Sequence, residues 1–138
     1  LMDTGGNSGG QASVTVIRAM SLGEIEFKNY FKVLWKEIRV GFICGISLAA
    51  VNFVKILLID KMLLGNSEIT LIVDLAICLT LVIEIIFAKM IGCTLPMLAK
   101  KCGFDPAVMS SPFITTIVDA VSLLIFFGIS TAIIPQLH

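Results

Sequence analysis

The sequence predicts an all-α integral membrane protein, a bundle of transmembrane helices with one interfacial amphipathic helix. Composition is the first ground for this. Of 138 residues, 57% are hydrophobic and 14% charged, with a mean hydropathy of +1.02, which is far too apolar for a soluble domain of this length. The second is three apolar runs, about 39–60, 69–98 and 106–134, each as long as the ~20 residues that cross a bilayer core of roughly 30 Å. The third is that turn and capping signals separate these runs.

The first segment, 1–20, opens on Leu1-Met2 with no cleavable signal pattern and passes at once into the glycine cluster of residues 4–11. It reads as the C-terminal piece of a longer protein or, alternatively, as a natural start at Met2. By composition the cluster fits a flexible linker. In a membrane protein it fits the end of a broken transmembrane helix, whose irregular backbone survives only where it is buried or lines a watery cavity. Ala12 to Met20 follows with helical character and one charge, Arg18, which favours the second reading.

Ser21-Leu-Gly-Glu24 has the spacing of a capping box and predicts a helix start. The segment 21–38 is amphipathic: Ile25, Phe31, Leu34, Trp35 and Ile38 are apolar, while Glu24, Lys28, Lys32 and Lys36 are charged. That pattern predicts a helix lying in the headgroup plane, with a solvated connector as the alternative.

In the first full span, 39–60, the stretch Val40 to Ile59 is interrupted only by Lys55. It carries Gly41-Phe-Ile-Cys-Gly45, a spacing that lets two helices approach closely. A turn around Gly65-Asn66-Ser67 leads to the second span, 69–98, with Asp74, Glu84 and Lys89 inside or near its ends. Lys55 and Asp74 lie at similar distances from that turn, which predicts an ion pair between antiparallel neighbours. Glu84 sits well inside the span, where an acid is a candidate for an ion route. After Lys100, Lys101 and the turn Cys102-Gly103-Phe104, Asp105-Pro106 supplies an N-cap and a first-turn proline to the last span, 106–134.

Lys and Arg crowd the segments before the first span and between the second and third. The loop between the first and second spans has only Lys61 beyond Lys55. The positive-inside rule then puts those basic segments in the cytoplasm and the C-terminus outside, in a multi-pass protein of the cell (inner or plasma) membrane.

The last span carries one formal charge, Asp119. An acid at such depth is disfavoured by about 2.5–3.5 kcal/mol on insertion scales, so it calls for a reason. Ser111, Thr115, Thr116 and Ser122 fall on the same helical side as Asp119. Pro112 cannot donate a backbone hydrogen bond, which is expected to free the carbonyl of Val108 on that side. An all-oxygen stripe of this kind suits a hard, hydrated cation. Packing against a neighbouring helix and a proton relay are the alternatives. Three spans alone do not enclose a polar path, so further spans, a second copy, or both are expected.

Other classes fit poorly. A net charge of zero argues against a nucleic-acid partner. Cys44, Cys78, Cys93 and Cys102 show neither CxxC nor zinc spacing, and no disulfide is expected. No second acid in a matching motif and no His/Ser arrangement accompanies Asp119, and the lone His138 sits at the terminus, so no enzyme is expected.

Taken together, Gly5-Gly-Asn-Ser-Gly-Gly-Gln11, the amphipathic segment, Asp105-Pro-Ala-Val-Met-Ser-Ser-Pro112 and Thr115-Thr-Ile-Val-Asp119 resemble the MgtE family of magnesium channels and transporters. The resemblance covers essentially the whole chain and corresponds to the last part of that family's membrane domain. It implies a homodimer of five-helix membrane domains with a magnesium pore along the dimer axis. It also implies that Asp119 binds hydrated Mg2+ there, with the glycine-rich segment of Gly6 and Asn7 nearby. Two departures stand out. Ser111 occupies a position where the family has Asn, and Glu84 and Lys89 add charge to a span the family usually keeps neutral.

Residue chemistry and resemblance together predict a divalent-cation channel or transporter, with Mg2+ as the transported ion and the lipid bilayer and a second copy as partners. The expected site is Asp119, Asn7, Ser111, Thr115, Thr116 and Gly6. A site that holds the hydrated ion through waters prefers magnesium by size and charge, whereas direct contact favours transition metals. A proton- or sodium-coupled secondary transporter and a non-transporting membrane scaffold are the rival readings.

Overall fold

A computed structural model describes residues 2–63, 67–109 and 111–133. The described residues form four α-helices and two short 3-10 turns, with no strand. Helix α1 is Met2–Ser21, α2 Tyr30–Leu63, α3 Ser67–Lys101 and α4 Ser111–Ile133; the turns are Phe27–Asn29 and Pro106–Val108. Three helical stretches, Phe27–Ile56, Ile72–Lys101 and Ser111–Ala132, are long and apolar enough to cross a membrane.

The direction of each helix follows from its contacts. Gly5 meets Glu84 and Gly9 meets Ala88, while Val16 and Met20 share a core cluster with Cys93 and Met97; α1 and α3 therefore run parallel. Gly6 meets Asp119 and Gly10 meets Ser111, so α4 runs antiparallel to α1. Gly41 packs on Ile86 and Gly45 on Val82, so α2 runs antiparallel to α3. Helix α3 is thus the central element. Its Ala76, Ile85, Ala88, Cys93 and Met97 are all buried, while α2 leaves Phe42, Ile43, Ile46, Val51 and Val54 exposed. An outward face this apolar is what a helix presents to lipid.

The expected spacing device is present: a Cβ on Gly41 would come 3.2 Å from Ile86 Cα, and one on Gly45 3.0 Å from Val82 Cα. Small residues there let the two backbones touch within one chain.

Several local expectations change. The glycine cluster is neither a linker nor an irregular stretch, because α1 continues through it without a break. Ser21–Glu24 ends a helix instead of starting one. Gly23 takes a φ of 71°, and Gly23 N–H and Glu24 N–H donate to the carbonyls of Met20 and Ala19, a closure that glycine makes without strain. The amphipathic segment is not a separate helix either. After the turn at Phe27–Asn29, where Asn29 Oδ1 accepts from Glu26 N–H at 3.0 Å, one helix carries on from Tyr30 through the first span. Nothing between Tyr30 and Leu63 can stop it, since that stretch contains no proline.

Lys55 is exposed and Asp74 buried, with the Cys78 thiol donating to Asp74 Oδ1 at 3.7 Å. The turn at Gly65-Asn66 and the terminal His138 lie outside the described residues.

Candidate functional site

The glycines of α1 carry two interleaved ridges. Gly5 and Gly9 face α3, and Gly6 and Gly10 face α4, each pair four residues apart on one side of the helix. A helical glycine is worth roughly 0.5–1 kcal/mol less than alanine, so four of them in α1 need close approach in return. They have it. A Cβ on Gly9 would come 2.9 Å from the Ala88 carbonyl oxygen, and one on Gly6 would come 3.2 Å from Asp119 Oδ1 and 3.2 Å from Thr115 Cγ2. The residues facing Gly5 and Gly10 are the carboxylate of Glu84 and the hydroxyl of Ser111.

The predicted site residues separate into two adjoining groups. Gly6, Thr115 and Asp119 meet directly at the α1–α4 seam. Asn7 and Ser111 line a neighbouring polar cavity of about 440 Å3, together with Gly10, Gln11, Val14 and Thr15. Thr116 lies on the exposed flank of α4. Farther along the seam, Ser13 Oγ donates to the Met109 carbonyl at 2.8 Å, fixing the segment before α4 onto α1.

Asp119 is half-buried, and its Oδ1 is fully buried without a hydrogen-bond partner. Such an oxygen is disfavoured by about 1–3 kcal/mol relative to a satisfied one, and more when charged. It is the polar atom on this seam most in need of a visitor.

Pro112 acts otherwise than expected. Asp105 caps the turn Pro106–Val108, its Oδ1 accepting from Ala107 N–H at 2.9 Å, and α4 starts only at Ser111. Pro112 therefore sits in the first turn of its helix, where no N–H is needed, and it does not free a carbonyl from within a helix. Instead its own carbonyl accepts from Thr115 Oγ1 at 2.9 Å and Thr116 Oγ1 at 3.0 Å.

Glu84, a candidate for the ion route by its depth in the span though outside the expected site, belongs to this place. It is 1% exposed, and both carboxylate oxygens lack a hydrogen-bond partner. Its polar neighbours are the Ser122 hydroxyl and the Gly5 N–H, with the charge of Asp119 close by. The signal that could have found it is Gly5: a second glycine ridge on α1 implies a second neighbour pressed against it. Among the described residues no group of three His, Cys, Asp or Glu side chains converges as a metal cluster. The seam offers isolated carboxylates, hydroxyls and amides beside an open cavity.

Comparison with known proteins identifies the family. The family model MgtE, described as a divalent cation transporter, matches residues 1–129. The magnesium transporter MgtE of Thermus thermophilus is 32% identical over 130 residues, covering 94% of this chain and 27% of the relative. The magnesium transporter MgtE of Bacillus subtilis is 36% identical over 132 residues, covering 96% and 28%. That of Enterococcus faecalis is 30% identical over 128 residues, covering 93% and 26%. The chain thus spans about a quarter of the length of these curated relatives.

Proposed function

The chain belongs to the MgtE family of divalent cation transporters, and from that membership and the α1–α4 seam we propose that it forms part of a magnesium conduit in the cell membrane. A hydrated Mg2+ passes Asp119 at the axis of a homodimer, with Asn7, Ser111, Thr115, Thr116 and Gly6 shaping the passage. The C-terminus faces outward, as the basic segments imply.

The observation that carries this reading is the buried, partnerless Oδ1 of Asp119 beside a polar cavity in a helix otherwise made for lipid. Magnesium sheds its waters reluctantly. A carboxylate that touches the ion's water shell attracts it without stripping it, and conduction needs binding weak enough to release. A two-fold axis doubles the charge at one level without any protein cage.

The test is Asp119→Asn in the full-length protein, reconstituted in liposomes with Mg2+ flux followed by an entrapped indicator. Flux falls about a hundredfold or more, as expected when the ion's charged partner is removed, while the protein still elutes as a dimer. Flux that survives the substitution removes Asp119 from the path. A dimer that falls apart supports the scaffold reading, and flux that needs a proton or sodium gradient supports the coupled transporter.

A further inference from the structure

Helices α1 and α2 each pack on α3 but scarcely on each other. The space left between them, beside the turn at Gly23 and Glu24, is a cavity of about 550 Å3, the size of a small-ligand pocket. Val16 and Ala19 of α1 and Ile25 of the connection give it an apolar wall. Its rim is basic. Lys32, Trp35, Lys36 and Arg39 all line it, because positions i, i+3, i+4 and i+7 share one side of a helix. All four are exposed, Trp35 by 61%. Two acids stand among them. Glu37 is closed by Lys89 at 3.3 Å and lies 3.9 Å from Lys36, while Glu24 is exposed at the turn. Lys32 and Arg39 have no ion pair among the described residues, so the rim keeps an excess of positive charge.

We infer that this cavity holds an anionic phospholipid, its phosphate against Lys32, Lys36 and Arg39 and an acyl chain along the apolar wall between α1 and α2. Charge selects the headgroup, since each Lys or Arg near a membrane surface favours an anionic lipid by about fivefold. Depth selects a lipid over a soluble anion. These residues stand near the start of the stretch Phe27–Ile56, which is long and apolar enough to cross a membrane. That places them at the headgroup level, where an exposed Trp is at home. A soluble phosphate would use the rim and leave the apolar wall bare. A lipid wedged here joins the C-terminal half of α1 to α2, which the protein's own contacts leave apart. The site is independent of the passage at Asp119, and its occupancy is read without any ion flux.

Trp35 fluorescence in the full-length protein, reconstituted in phosphatidylcholine vesicles, tests this. Part of the lipid is replaced by phosphatidylglycerol or phosphatidylcholine carrying brominated acyl chains, and the Trp35 signal is isolated by subtracting that of Trp35→Phe. Brominated phosphatidylglycerol quenches Trp35 more strongly than brominated phosphatidylcholine at equal mole fraction. The preference falls about fivefold for each charge removed in Lys32→Gln, Lys36→Gln and Arg39→Gln, exposed positions whose substitution leaves the fold intact. Ala19→Phe fills the cavity, keeps every charge and abolishes the preference. Equal quenching by the two lipids in the wild type overturns the inference, and is the result expected if a second copy or another protein segment covers the cavity. A preference that survives Ala19→Phe also overturns it, because the lipid is then only adsorbed on the basic surface. Should Ala19→Phe fail to fold, an undiminished preference in the charge variants overturns it alone.

Discussion

Both seams of the bundle bring backbones together at glycine, α2 against α3 through Gly41 and Gly45, and α1 against α3 and α4 through Gly5, Gly6, Gly9 and Gly10. They treat charge differently. On the α2–α3 seam, Lys89 Nζ meets Glu37 Oε2 at 3.3 Å, with both side chains less than a tenth exposed. On the α1 side, Glu84 and Asp119 have buried oxygens and no such ion pair among the described residues. The same chain that closes one buried pair leaves other buried acids open. On the proposed reading, the closed pair serves packing and the open acids serve an ion.

Breaking the closed pair gives the largest effect. Lys89→Met leaves Glu37 with only the long 3.9 Å contact to the exposed Lys36 and lowers unfolding free energy by about 3–5 kcal/mol, read from denaturant unfolding in micelles. Glu37→Leu added to Lys89→Met recovers most of that loss, because a matched apolar pair replaces the ionic one. The same measurement on Asp119→Asn moves stability by under about 1 kcal/mol, since no partner is stranded. Equal losses at Lys89 and Asp119 would erase the contrast between the seams.

Backbone contact comes next. A Cβ on Gly92 would run into the carbonyl of Gly9, so Gly92→Ala destabilises by about 1–3 kcal/mol, an overpacking loss visible as a lower midpoint in the same assay. Ser13→Ala removes one hydrogen bond to Met109 and lowers stability by about 1 kcal/mol; a greater effect on Mg2+ flux than on stability would show that this contact positions α4.

The smallest effect lies at the surface. The Lys28 hydrogen bond and charge hold the exposed Glu26 carboxyl below the usual carboxylate range. A depressed value stabilises the fold above the unfolded pKa, and that contribution disappears as pH falls through the folded value. An NMR titration of Glu26 in the Lys28→Ala variant returns to the ordinary range, with no measurable change in the unfolding midpoint.

Periodicity made much of this legible. The spans follow from run length, and Thr115, Thr116, Ser122 and Asp119 share a side because 3.6 residues per turn places them there. Glycine at spacing four announced close approach, and Gly41 and Gly45 provide it. What stayed hidden depends on neighbours. Ser21-Leu-Gly-Glu24 matches a helix start and a glycine-closed helix end equally well, and only the backbone at Gly23 decides. Pro112 breaks a helix from within but suits its first turn, and the choice turned on where the preceding turn stops. Glu84 could be placed at a depth, but no pattern within α3 names the residue on α1 that faces it.

One consequence follows from the hydroxyls of Thr115 and Thr116. Each has spent its hydrogen on the carbonyl of Pro112, so whatever approaches this stretch of α4 from outside meets their lone pairs and no proton to accept. A chloride or phosphate finds nothing there to hold, whereas a metal's aqua ligands can donate to every one of these oxygens. In the proposed conduit, the orientation of two O–H bonds would thus already favour a cation, a turn before the carboxylate of Asp119 is reached.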